Sequence, residues 1–237
     1  MRIPLIPNTV KLLVILTAIL LGAMLYAGHV RTSMMPFPAL NPEKSWVMVG
    51  TRIGGLKYDR AACAAALRDP FAKISFVRDN PIKNGCGWVN SVRLSNFAGA
   101  GISTIKLSCP MAAGLAVWMA QVVQPAAKKY FGTTVTRVSH LGGYSCRNIK
   151  GSLFSKYLNM RSEHATANAI DISGFSLANG QKVSILQHWT RGGNKATLLK
   201  EIHYGACSYF RVVLGPEANR LHANHFHFDR GMLIRCK

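Results

Sequence analysis

The sequence predicts an α+β fold: one disulfide-stabilised domain whose small, mainly antiparallel sheet is flanked by helices. Three observations carry this prediction. Alanine-rich and apolar stretches of helical character dominate the first half, from Tyr58 to Asp69 and from Pro110 to Gly132. From Thr133 onward apolar residues recur at every second position, the period of a half-buried strand. Six cysteines, Cys63, Cys86, Cys109, Cys146, Cys207 and Cys236, all follow an uncharged apolar run, as in exported proteins whose thiols are oxidised.

Length and composition bound the organisation. Of 237 residues, 49% are hydrophobic and 16% charged, which excludes a disordered chain and allows one core of ordinary size. Leu12 to Gly28, LLVILTAILLGAMLYAG, is free of charge and follows Arg2 and Lys11. It predicts a signal anchor or a signal peptide over 1–30, with the remainder beyond the inner membrane and facing the periplasm. Its 17 residues are short for a span, and Ala27 offers a small residue for cleavage, so both alternatives stand. Residues 31–45, with Pro36, Pro38 and Pro42, read as a linker, and 46–237 as the folded domain.

Within that domain YDRAACAAALRD, Tyr58 to Asp69, is the first helix. Pro81, Gly85 and Gly87 mark a loop-rich stretch, followed by short strands around Trp88 to Leu94 and Ile102 to Leu107. Pro110 opens a long helix that ends at Gly132, with Lys128 and Lys129 in its last turns and Pro125 as a site for a kink. TVTRVSHL is a strand and GGYSCRN a glycine-marked turn. Asn168 to Phe175 and Lys182 to Leu186 are strands joined across LANG, Ala196 to Tyr204 is a helix, and Tyr209 to Leu214 and His225 to Asp229 are the last strands. Six cysteines permit 15 pairings. Sequence order suggests Cys63 with Cys86, Cys109 with Cys146 and Cys207 with Cys236. The absence of a CxxC spacing argues against a zinc–thiolate cluster.

A net charge of +20, from 29 Lys and Arg against 9 Asp and Glu, implies an anionic environment. The cations are scattered, aromatic residues are not interleaved with them, and no glycine-rich phosphate loop is present, so nucleic acid is not the expected partner. The acids are more informative. Glu163, Asp171 and Asp229 fall in the two short segments that also contain four of the eight histidines.

In HANHFHFD an extended backbone sends His225, His227 and Asp229 to one face and Phe226 and Phe228 to the other. In SEHATANAIDIS, His164 precedes a turn, and Asp171 lies on a strand between the core-directed Ile170 and Ile172. Two imidazoles and a carboxylate are a donor set for catalytic Zn2+, because three protein ligands leave a fourth position for water. A single histidine in such a place more often serves a hydrogen bond. The set as a whole points to a metal.

SEHATANAIDI resembles the SxHxxGxAxD motif of the D-Ala-D-Ala metallopeptidases, a superfamily that includes lysostaphin-type enzymes and the hedgehog signalling domain. More closely, GGYSCRN, SEHATANAIDISGF, CSYFRVVLGP and HANHFHFD together resemble bacterial extensin-like C-terminal domain proteins, over roughly Trp46 to Lys237. The resemblance implies His164, Asp171 and His227 as zinc ligands. It implies His225 as the general base, with His222 as a helper, because the glutamate that carboxypeptidases of the superfamily place three residues before the last ligand is Asn224 here. Arg147 matches the arginine of an SGYR-like segment that binds substrate and the developing oxyanion. Tyr144 is a weaker member of the same pocket. Asp229 is expected to hold a histidine tautomer. The motif glycine is replaced by Ala167, or by Thr166 in another register.

The expected function is an exported zinc metallopeptidase acting on peptidoglycan peptides, anionic partners that a basic protein attracts. Two rivals stand beside it. A non-catalytic envelope-binding protein that holds zinc is favoured by the loss of the glutamate. An exported nuclease or phosphoesterase has only the charge and the histidines behind it.

Overall fold

The computed structural model describes residues 7–26, 40, 49–150 and 159–237. The apolar run is helical, α1 (Asn8–Tyr26), with its large side chains from Leu12 to Leu21 exposed. Among the described residues no helix is long and apolar enough to cross a membrane. Of the expected linker, only Leu40 is described. It is buried in the core rather than solvated, which places at least this residue inside the domain.

After α2 (Val49–Gly55), the Asp59 carboxylate accepts the N–H of Ala62 and starts α3 (Arg60–Ala66), which is shorter than its alanine run suggests. Five strands come next: β1 (Ala72–Phe76), the hairpin β2 (Asn80–Lys83) and β3 (Cys86–Trp88), β4 (Ser91–Phe97) and β5 (Ala100–Ser108). The stretch read as loop therefore contains β1 and β2. Pro81 and the glycines punctuate a hairpin there rather than interrupt regular structure.

The Ser108 hydroxyl accepts the N–H of Met111 and caps α4 (Cys109–Trp118), a helix buried on every side. A helix that is apolar all round belongs inside the core. A π turn, Met119–Val123, leads into α5 (Gln124–Phe131), which ends on Gly132 in the left-handed conformation at φ 64°. Pro125 follows this wider turn. The wider turn shifts the hydrogen-bond register ahead of it, and the proline falls in the first turn of α5, where its missing N–H costs little.

The second half runs β6 (Val135–Gly142), β7 (Ala169–Leu177), β8 (Lys182–Ser184), α6 (Ile185–His188), α7 (Gly193–Gly205), β9 (Val212–Leu214), β10 (Phe226–Asp229) and β11 (Arg235–Cys236); the order is the expected one except that α6 takes the end of the strand read over Lys182 to Leu186 and β11 is added. The sheet has nine strands in the order β1-β4-β5-β6-β7-β10-β9-β11, with β8 also on β7, so it is larger than expected. Most pairs are antiparallel; β5 with β6 and β9 with β11 are parallel.

One face of the sheet is covered. Trp118 packs against Phe175, Phe210 and Phe228, and its Nε1–H donates to the Ile202 carbonyl on α7. The other face is polar and open, as β4 illustrates: Val92 and Leu94 are buried while Arg93 and Ser95 are exposed. Three disulfides join Cys63 to Cys109, Cys86 to Cys146 and Cys207 to Cys236. Only the last follows sequence order. The first two cross it because α3 docks on the start of α4, and β3 lies against the loop after β6.

Beneath β10, His203 of α7 is buried among Trp189, Tyr204 and Phe226, and neither ring nitrogen has a hydrogen-bond partner. Burial lowers its pKa to about 4. Above the unfolded value of about 6.5 both states are neutral. As pH falls from there to about 4 the unfolded chain takes up the proton first, so stability is lost across that window. His203→Phe should remove a pH-dependent loss on the order of 3 kcal/mol, read from urea unfolding at pH 7 and pH 4. Trp118→Ala should cost about 3–5 kcal/mol at pH 7 in the same assay.

Candidate metal centre

Pairing of β7 with β10 puts His227 opposite Asp171, with Phe226 opposite Ile172 and Phe228 opposite Ile170. The pleat then sends the apolar four into the core and turns His227 and Asp171 onto the open face. His164 arrives from a short 3-10 turn, Glu163–Thr166, capped by Ser162 and closed by Ala167 at φ 54°. Ala167 thus holds a backbone conformation that favours glycine, which Thr166, inside the turn, does not.

His164 is aimed by a residue that carries no side chain. Its Nδ1–H donates to the Gly143 carbonyl, which leaves Nε2 facing Asp171 and His227. A Cβ on Gly143 would meet the Ile105 Cδ1 at 2.8 Å, so only glycine brings that carbonyl so close. The donor atoms converge: His164 Nε2 lies 3.3 Å from His227 Nδ1 and 3.3 Å from Asp171 Oδ1, and His227 Nδ1 lies 2.9 Å from Asp171 Oδ1. Donors about 2.1 Å from a tetrahedral ion stand about 3.4 Å apart, so this set fits zinc with small adjustment. It is the one group of its kind among the described residues.

The electrostatics of the cluster are set by its own hydrogen bonds. Burial alone would raise the Asp171 carboxyl, but hydrogen bonds from His164 and His227 outweigh it and hold it well below the usual carboxylate range. Burial opposes a charge on His227, yet Asp171 and Asp229 on its two nitrogens raise its pKa to about 9. A proton shared between His227 and Asp171 therefore occupies the place a cation would take. Asp229 Oδ2 accepts from His227 Nε2 at 3.0 Å, while its other oxygen accepts the N–H of Gly231, an arrangement that fixes the ring.

The remaining residues line the rim. His225 Nε2 lies 3.6 Å from Asp171 Oδ1, and its Nδ1–H donates to the Asn224 side chain at 2.8 Å. Its pKa is lowered by burial, with the charges of His227, His164 and Arg147 outlasting an opposing pull from Asp171. Arg147 thus sits close enough for its charge to be felt at His225. The His222 ring lies tilted beside His225 with centroids 5.2 Å apart, donates to Asn219, and has its pKa lowered to about 4 by burial and the neighbouring imidazoles. Tyr144 meets Trp88 edge to face at 5.0 Å.

Two supports were invisible in the sequence. One is the Gly143 carbonyl. The other is a half-buried chain in which the Ser108 hydroxyl donates to Asn168, and Asn168 donates to Glu163, whose carboxyl is raised chiefly by burial. Both join segments far apart in sequence, and no local pattern announces them. Cys86–Cys146 ties the loop carrying Gly143 and Arg147 to β3.

No curated protein and no solved structure matches the chain. The family described as extensin-like protein C-terminus matches residues 61–237, which contain every residue of the cluster. The chain belongs to the extensin-like C-terminal family.

Proposed function

We propose that this protein is an exported zinc-dependent peptidase that hydrolyses amide bonds in the stem peptides of peptidoglycan, of the D,D type. The observation behind this reading is the convergence of His164 Nε2, Asp171 Oδ1 and His227 Nδ1 on an open sheet face, with an uncommitted histidine and an arginine beside them. Export agrees with three disulfides and with the apolar helix α1 as a targeting segment. The link to the D-Ala-D-Ala metallopeptidases rests on the SEHATANAIDI segment.

His164, Asp171 and His227 would hold the ion. Zinc in such a site supplies a water of lowered pKa and polarises a carbonyl. The chain's own residues do the rest. Asp229 and the Gly143 carbonyl fix the two ligand rings. His225, neutral at pH 7, takes the proton of the attacking water on Nε2 and returns it to the leaving amine. Arg147 offers its guanidinium fork to the carbonyl oxygen as negative charge builds there. Asn224, in the position of the missing glutamate, accepts the His225 Nδ1–H and so presents Nε2 to the water.

The purified full chain should carry one zinc per molecule by elemental analysis, and His164→Ala and Asp171→Ala should each lose it; stoichiometric zinc in both variants would remove the site. Incubated with crosslinked sacculi and zinc, the wild type should release uncrosslinked muropeptides or free D-alanine. His225→Ala should slow this by about 10²–10⁴-fold while retaining the metal. Bound zinc with no change in any muropeptide would favour the zinc-holding envelope-binding protein instead.

A further inference from the structure

The open face carries an unbalanced row of charge leading away from the histidines. Ser75 pairs with Arg93, and Arg93 pairs directly with Lys106. At the other end Gly142 pairs with Asp171, and Asp171 with His227. The two halves join between β5 and β6, a parallel pair with Ile102 opposite Val138; the same register carried four residues on sets Lys106 beside Gly142, next to Gly143, whose Cβ position lies 3.0 Å from the Lys106 carbonyl. One line across the strands therefore runs Ser75, Arg93, Lys106, Gly142, Asp171, His227. The alternate positions on the same strands, Leu94, Ile105, Ile170 and Phe226 among them, are buried.

Like charges directly opposite one another destabilise a sheet. Arg93 and Lys106 are such a pair, and among the described residues neither forms an ion pair with a carboxylate. Lys106 is held in place by rings, its Nζ 3.0 Å from the centroid of Trp88 and 4.4 Å from that of Tyr144. Its pKa is lowered by burial and by Arg93, the signature of a cation without a counter-ion. Beyond Arg93 the face opens into a recess of about 620 Å³, whose charged lining is Arg68, Lys73 and Arg93 against the lone Asp69. Between Lys106 and Asp171 the row has one position without a side chain, Gly142, where a substrate backbone can cross the sheet.

We propose that Arg93 and Lys106 form an anion subsite that grips a carboxylate of an extended cell-wall polymer whose amide bond lies at the histidine cluster. This assignment rests on the function proposed above and names the feature of the substrate it recognises. Strands are spaced about 4.8 Å apart, so Lys106 stands about 10 Å, and Arg93 about 14 Å, from Asp171 along the row. A polymer that fits carries a free carboxylate at that distance from the bond placed over Asp171. Binding the anion relieves the Arg93–Lys106 repulsion, and the recess beyond receives the next charged unit.

The test is co-sedimentation of the full chain in detergent with purified peptidoglycan sacculi, native or with their carboxylates converted to amides. Arg93→Gln/Lys106→Gln should bind native sacculi roughly tenfold more weakly than wild type and bind amidated sacculi equally. The charge-preserving swap Arg93→Lys/Lys106→Arg should restore most of the affinity. Lys128→Gln/Lys200→Gln, matched in charge but on the helical face, should bind as wild type. Loss of binding that persists in the swap or appears equally in the helical-face pair, or no loss in the Gln pair, overturns the subsite. Cleavage and binding separate the two proposals: sacculi bound through Arg93 and Lys106 but never cut would sink the peptidase reading alone, whereas cutting with binding indifferent to these residues would sink the subsite alone.

Discussion

The register between β7 and β10 is the constraint on which this structure turns. Phe226, Phe228, Ile170 and Ile172 are all fully buried, and Phe228 packs edge to face on Trp118 at the centre of the core. A slip of β10 by one residue would drive His227 into that core, away from Asp171, and expose the aromatic pair. Hydrophobic burial worth roughly 1.5–3 kcal/mol per large side chain thus decides where two polar groups stand. The site inherits its precision from packing on the opposite side of the sheet.

What the polar face then does follows from proximity. Three donor atoms within 3.3 Å of one another cannot all remain as they would be in water. Asp171 gives up its affinity for protons, and His227 acquires a proton it holds well above pH 7. The charge so trapped sits between a carboxylate pair, Asp171 and Asp229, that uses two of the nine acids in the chain. Elsewhere on the same face cations face each other without such partners. The contrast between a fully compensated cluster and an uncompensated basic row gives the open face a direction.

Strands β6, β7 and β10, the long helical segment opened by Pro110 and most of the order of elements after Thr133 were legible because their periods are clear. The alternation in HANHFHFD was enough to separate the histidine face from the phenylalanine face. The hairpin of β2 and β3 was not legible, because Pro81 and two glycines imitate a loop. Nor was the course of the helical segment through a π turn, since the register shift depends on packing around Met119–Val123 rather than on Pro125 alone. The disulfides show the same limit: Cys63–Cys109 and Cys86–Cys146 join elements whose contact is set by tertiary docking, while Cys207–Cys236 happens to follow the order of the chain.

The sequence by itself determined the α+β class and which side chains of β7 and β10 share a face, because strand periodicity is a local property; the choice of His164, Asp171 and His227 from among the clustered histidines and acids came from the family resemblance. Only the tertiary structure decided that the three meet, that the Gly143 carbonyl orients His164, and that Arg93 and Lys106 lie in the same row. Those facts depend on which strands are neighbours, and neighbours are chosen by burial across the whole sheet, information that no segment carries alone.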